Sequence, residues 1–83
     1  MHFVYILQCS DNSYYTGYTT DVQRRLAEHN KGKGSRITRS KLPVVLIHRE
    51  AYRTKSKALK REAQIKSWPR IKKEALIARR AGE

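Results

Sequence analysis

Acidic side chains are scarce in this sequence: seven Asp and Glu face nineteen Lys and Arg in 83 residues, a formal net charge of +12. Cysteine occurs once, at Cys9, which excludes an internal disulfide and any zinc site built from cysteines. No apolar run approaches the ~18–20 residues needed to span a bilayer. The run FVYIL at 3–7 is too short for a signal-peptide core, and no small-residue cleavage site follows it. With neither repeats nor a linker, the chain reads as one domain over 1–83 in a reducing cytoplasm.

What is present narrows the partner. Hydrophobic residues make up 39% of the chain, clustered between turn signals, so the sequence is globular rather than disordered. A concentrated positive field attracts polyanions, and nucleic acid is the commonest of these. An acidic membrane surface is the rival, but no predicted helix pairs a bulky apolar face with a basic one. Nucleic acid is therefore the expected partner, with no membrane and no small-molecule cofactor.

Residues 2–8, HFVYILQ, are apolar on both alternating faces, as a strand covered on two sides requires. Turn residues at 9–13 and the run YYTGY at 14–18 predict an antiparallel hairpin. Gly17 inside the second strand marks a close backbone approach or a bulge. Thr20 with Gln23 three residues on forms a capping box, so a helix is expected to open at Thr20 and end before Gly32. Val22, Leu26 and Ala27 supply its buried stripe. Residues 31–41, KGKGSRITRSK, read as a basic loop with two glycines and no acid. A third strand follows from Pro43 through VVLIHRE. Thr54 caps a second helix to about Lys66, with Ala58, Leu59, Ala63 and Ile65 available for packing. A third helix starts near Pro69 and stops at Gly82. The order β-β-α-β-α-α gives an α+β fold with a small, mainly antiparallel sheet flanked by helices.

Placed on these elements, a few residues stand out. Tyr5 lies on the first strand, and Tyr15 and Gly17 share one face of the second. Arg25 and His29 are four apart and stack on one side of the first helix. Glu62 sits beside the packing residues of the second helix, in a chain with few acids to spare.

The segments FVYIL (3–7) and YYTG (14–17) resemble the two halves of the GIY-YIG motif of a nuclease superfamily. TTDVQRRLAEHN (19–30) resembles that family's Arg-bearing helix, and ALKREAQIKSW (58–68) the segment with its metal-binding Glu. The resemblance covers nearly the whole chain and is nearest the small stand-alone bacterial members. It implies the GIY-YIG fold and a metal-dependent endonuclease acting on nucleic acid, DNA more than RNA, with structured or damaged DNA among the candidate substrates. Tyr5 and Tyr15 become the motif tyrosines, Arg25 the transition-state arginine, His29 an accessory catalytic group and Glu62 the ligand of one Mg²⁺ or Mn²⁺ ion. In the implied reaction Tyr5, helped by Tyr15 or His29, takes the proton of an attacking water. Phe3 stands where the family has a leading Gly, and no Asn follows Asn30 to match the late active-site Asn of some relatives.

Each of these residues also has an ordinary reading. Tyr5 alone would be a core aromatic, Arg25 one of a solvated Arg pair, His29 a surface or capping residue, and Glu62 a partner for Lys66 at i+4. The loop cations Lys31, Lys33, Arg36, Arg39 and Lys41 are the expected phosphate contacts outside the active site, or else a solvated loop. Tyr52 and Trp68 read first as packing residues and second as stacking platforms. Lys72, Lys73, Arg79 and Arg80 form a second basic face. Alternatives to a nuclease are a non-catalytic nucleic-acid-binding module on the same fold and a basic accessory factor of ribosomes or other proteins. The sequence specifies neither substrate structure nor oligomeric state.

Overall fold

The computed structural model describes residues 1–81, with side chains through Arg79. The helix stop at Gly82 and the side chain of Arg80 therefore lie outside the described residues. The elements are β1 (His2–Gln8), β2 (Tyr14–Thr19), α1 (Val22–Asn30), α2 (Arg36–Arg39), β3 (Val45–Tyr52), α3 (Lys55–Lys66) and α4 (Arg70–Ala81). The sheet order is β2-β1-β3, antiparallel throughout, so the doubly apolar β1 is the central strand. This matches the expected α+β order, with one helix added.

Because side chains alternate along a strand, β1 feeds two cores. Val4 and Ile6 pack with Ala58 and Ile65 of α3, while Tyr5 and Leu7 pack with Cys9, Val44 and Leu26 of α1. Leu59 and Ala63, expected to pack, are exposed instead. On α1, Ala27 is exposed, and the buried stripe is Val22 and His29.

Local chemistry sets the element ends. The N-cap of α1 is Asp21, not Thr20: its carboxylate accepts from the Arg24 amide at 3.0 Å. Thr19 supports it by accepting from the Asp21 amide at 3.1 Å. The basic segment 31–41 is not all loop, because the Ser35 hydroxyl accepts from the Ile37 amide at 3.1 Å and caps the one-turn α2. β3 starts at Val45 rather than at Pro43. Asn30 holds both backbone groups of Val44, accepting from its N–H at 2.8 Å and donating to its carbonyl at 3.1 Å. Thr54 caps α3 as expected, accepting from the Lys57 amide at 3.2 Å.

A register shift between Ile6 and Leu7 bulges β3 and leaves His48, Glu50 and Tyr52 on the α3 side. There the Glu50 carboxylate accepts from Arg61 Nε (2.8 Å) and Nη2 (3.1 Å), from Tyr52 Oη (2.6 Å) and from His48 Nε2 (2.9 Å). Burial alone would raise the Glu50 carboxyl, but the bonds from His48, Arg61 and Tyr52 outweigh it and hold it far below the usual carboxylate range. Glu50→Gln is expected to cost about 2 kcal/mol of stability near neutral pH, as loss of a charged, mostly buried hydrogen-bond hub does. Glu50's folded-state value is depressed, so its contribution is complete above the ordinary carboxylate range and is lost as pH falls below it. Urea unfolding at neutral and acid pH checks this: the variant should lose much of the wild type's acid sensitivity.

Candidate functional site

The hairpin places Tyr5 directly opposite Gly17. A β-carbon built on Gly17 would lie 2.5 Å from Tyr5 Cζ and 3.0 Å from Cε1, nearer than real side-chain carbons come. Gly17 is thus a seat for the phenol, which is the close approach expected of it. Tyr5 is 2% exposed, and its hydroxyl lies 2.9 Å from His29 Nε2.

His29 is fully buried, which removes its reading as a surface residue. Its other nitrogen, Nδ1, lies 2.8 Å from the Thr38 hydroxyl, and Thr38 in turn directs its proton toward the Ser35 carbonyl at 3.4 Å. That arrangement assigns the proton of the ring to Nδ1 and leaves Nε2 to accept from Tyr5. Gly34 closes against the other side of the ring: a β-carbon there would sit 2.5 Å from His29 Cγ and 2.7 Å from Cε1. Burial pushes the imidazole below its usual value, the Arg25 charge pushes the same way, and Glu28 opposes both.

Tyr15 is half-buried, tilted to Tyr5 with ring centroids 6.4 Å apart and edge-on to His29 at 5.2 Å. Tyr14 and Tyr18 take the opposite face and pack with Val4 and Ile6. Arg25, not its exposed neighbour Arg24, faces this group. Its guanidinium donates to the Gly34 carbonyl at 2.7 Å and to Glu28 at 3.2 Å. Desolvation raises the Tyr5 hydroxyl to about 12 despite the lowering effect of Arg25, with smaller upward contributions from Tyr15 and Glu62. At neutral pH the site therefore holds a protonated phenol, a neutral imidazole and a fixed cation. Four of the five expected residues meet here.

Glu62 comes from α3, pairs with Lys66 at 3.2 Å, and lies near enough for its charge to raise the Tyr5 hydroxyl. No cluster of three or more His, Cys, Asp or Glu side chains exists among the described residues. A lone carboxylate does not fit a zinc or calcium cage, but it fits a magnesium-like ion that keeps most of its water and shares a substrate phosphate.

Lys31, Lys33, Arg36 and Arg39 are exposed and unpaired with any carboxylate among the described residues. They lie within and on either side of the stretch from Gly34 to Thr38 that meets His29. Lys41 is instead drawn to the β1–β2 turn, 3.4 Å from Asp11. Thr38 and the Gly34 carbonyl are site components that sequence reasoning missed. Their only sequence signal is Ser35 three residues before Thr38, the spacing of a short capped turn.

The chain is similar to known proteins over most of its length. The family model described as the GIY-YIG catalytic domain matches residues 1–75. A UPF0213 protein of Halobacterium salinarum is 58% identical over 77 residues, covering 93% of this chain and all of the relative. A UPF0213 protein of Staphylococcus haemolyticus is 49% identical over 95% of this chain and 96% of its own length. Among solved structures, the solution NMR structure of a UPF0213 protein from Bacillus halodurans is similar with a TM-score of 0.62. It is 47% identical and covers 93% of this chain and 82% of that one. A second NMR structure, of a protein from E. faecalis, gives a TM-score of 0.66 at 44% identity over 99% of this chain and 88% of that one. These relatives come from both archaea and bacteria, a wider range than the bacterial members the sequence resembles.

Proposed function

Because the chain belongs to the GIY-YIG catalytic-domain family, we propose that it is a metal-dependent endonuclease that hydrolyses phosphodiester bonds in DNA. The observation that carries this reading is the buried chain Tyr5–His29–Thr38 beside the Arg25 cation. Binding alone has no use for a neutral imidazole held against a phenol.

The protonation states supply the mechanism. A phenol at about 12 is a poor base unaided. As an attacking water gives its proton to the Tyr5 oxygen, the proton of Tyr5 passes to His29 Nε2, so no phenolate accumulates. Tyr15, at the solvent boundary, orients that water. Arg25 opposes the charge that grows on the phosphoryl oxygens. Glu62 would hold the divalent ion, which when bound would supply charge to stabilise the leaving oxygen. Lys31, Lys33, Arg36 and Arg39 bind backbone phosphates around the scissile one, which recognises shape more than base sequence.

One observation favours the alternative of a non-catalytic binding module: Glu62 is already engaged by Lys66. An i,i+4 pair of this kind is worth only about 0.3–0.5 kcal/mol, so a divalent ion displaces it readily. Lys66→Gln is accordingly expected to lower the half-saturating metal concentration about twofold, read from cleavage rates across a metal titration. The reading itself is tested by incubating labelled duplex, single-stranded and branched DNA and RNA with Mg²⁺ or Mn²⁺, and with chelator. Nicking of at least one substrate with metal and none with chelator is expected. Salt-sensitive binding with no cut in any substrate would favour the binding module.

A further inference from the structure

On the side of the molecule away from Tyr5 and His29, α3 and α4 enclose a cleft of about 340 Å³. It is lined by Arg61, Trp68, Lys72, Ala75, Leu76 and Arg79, with no acid among them. Trp68, at the α3–α4 junction, is half-buried and, like Leu76 and Ile77, packs against the core of Val4, Ile6, Ala58 and Ile65. Two cations lie over its ring, Arg61 at 5.0 Å and Lys72 at 4.5 Å from the centroid.

The three cations of the cleft differ. Arg61 is neutralised by Glu50 and acts as a flat, fixed part of the wall. Lys72 and Arg79 are exposed and meet no carboxylate among the described residues; Glu74, the acid of α4, is paired with Arg70 at 3.3 Å. Two charges with no carboxylate partner among the described residues therefore line the same recess as Trp68, Ala75 and Leu76.

We propose that this cleft is a second nucleic-acid site, which takes an unpaired strand by seating a base against Trp68 and Leu76 while Lys72 and Arg79 hold the flanking phosphates. The volume falls within the ~300–1,000 Å³ of small-ligand pockets. Concavity separates strand from duplex: a duplex keeps its bases stacked and offers phosphates on a convex surface, whereas an unpaired nucleotide turns a flat, sequence-independent face to an aromatic wall. Lys72 then exchanges its contact with the Trp68 ring for a phosphate. The loop cations lie on the opposite, α1–α2 side, so the two surfaces engage different parts of one substrate. This inference rests on the nucleic-acid partner of the proposed function but not on cleavage.

Trp68 is the sole tryptophan, so intrinsic emission reports on the cleft directly. The experiment titrates the full chain with short oligothymidylate in EDTA, where metal-dependent cutting is absent, alongside a duplex of equal length and polyglutamate. Saturable quenching of the emission by the single strand is expected, with a weaker response to duplex and none to polyglutamate. Charge reversal at two exposed positions, Lys72→Glu with Arg79→Glu, should weaken single-strand binding about tenfold and lower its salt slope by ~1.4, two contacts at ~0.7 each. Unchanged emission on binding, an equal response to duplex or to polyglutamate, or unaltered affinity after charge reversal would each overturn the proposal. Cleavage plays no part in these readouts, so a failed nuclease reading leaves them interpretable.

Discussion

His29→Ala is expected to lower single-turnover cleavage by about 10²–10⁴-fold, the usual contribution of a positioned proton acceptor. The loss should be one of rate more than of binding, because a fully buried ring makes no contact with a bound backbone. Tyr5→Phe should lower the rate to a similar extent. Since the two side chains share one proton path through the 2.9 Å bond, the double variant should be little worse than either single one. Independent, multiplying effects would show that they do not act as a pair. Thr38→Val keeps the shape and removes the hydroxyl that fixes Nδ1, so the rate should fall while affinity holds. The pH profile carries the same signature. Burial and Arg25 hold the imidazole below its usual value, so activity should persist at mildly acid pH and fall only as His29 becomes protonated. His29's contribution to folding has the matching sign: complete above about 6.5, it is lost as the pH drops toward the depressed folded-state value.

Gly17→Ala is expected to destabilise the protein by roughly 1–3 kcal/mol and to disable the site at the same time. The added carbon would fall 2.5 Å from Tyr5 Cζ, and Tyr5 belongs to a packed cluster with Leu7, Cys9 and Val44, so the ring cannot retreat inward. Relief must come from separating β1 from β2 or from rotating the phenol off His29. Gly34→Ala presses on the same pair from the other side, against the imidazole. Neither glycine has the positive φ of Gly32, so the effect is one of crowding rather than backbone strain. Thermal unfolding together with cleavage measures both consequences. A stable, active Gly17→Ala would mean that the seat is not needed.

Sequence periodicity displayed the sheet and the long helices because each is long enough to repeat. HFVYILQ, apolar on both faces, marked the central strand, and Thr54 marked the start of α3. Shorter or tertiary features did not show. α2 has four residues, too few for a helical period. Asp21 rather than Thr20 caps α1 because the Thr19 hydroxyl holds the Asp21 amide, a choice between neighbours that composition does not make. The cluster of Tyr5, Tyr15, Arg25 and His29 was legible through the resemblance to the GIY-YIG motif. Its support was not, since Gly34 and Thr38 matter only once the basic segment folds over His29. The Glu50 hub was equally hidden: the β3 bulge sets which side chains face Arg61.

The most direct test of the central claim is to measure binding and cleavage of one substrate in parallel, for wild type and for Glu62→Gln, with Mg²⁺ or Mn²⁺ at low salt. Binding affinity should agree within a few fold, because Glu62 is a single partly buried carboxylate paired with Lys66 and none of the loop cations. Metal-dependent cleavage should be present in the wild type and lost in the variant. A variant that cuts as fast as the wild type, or a wild type that binds tightly and cuts nothing, would contradict the assignment.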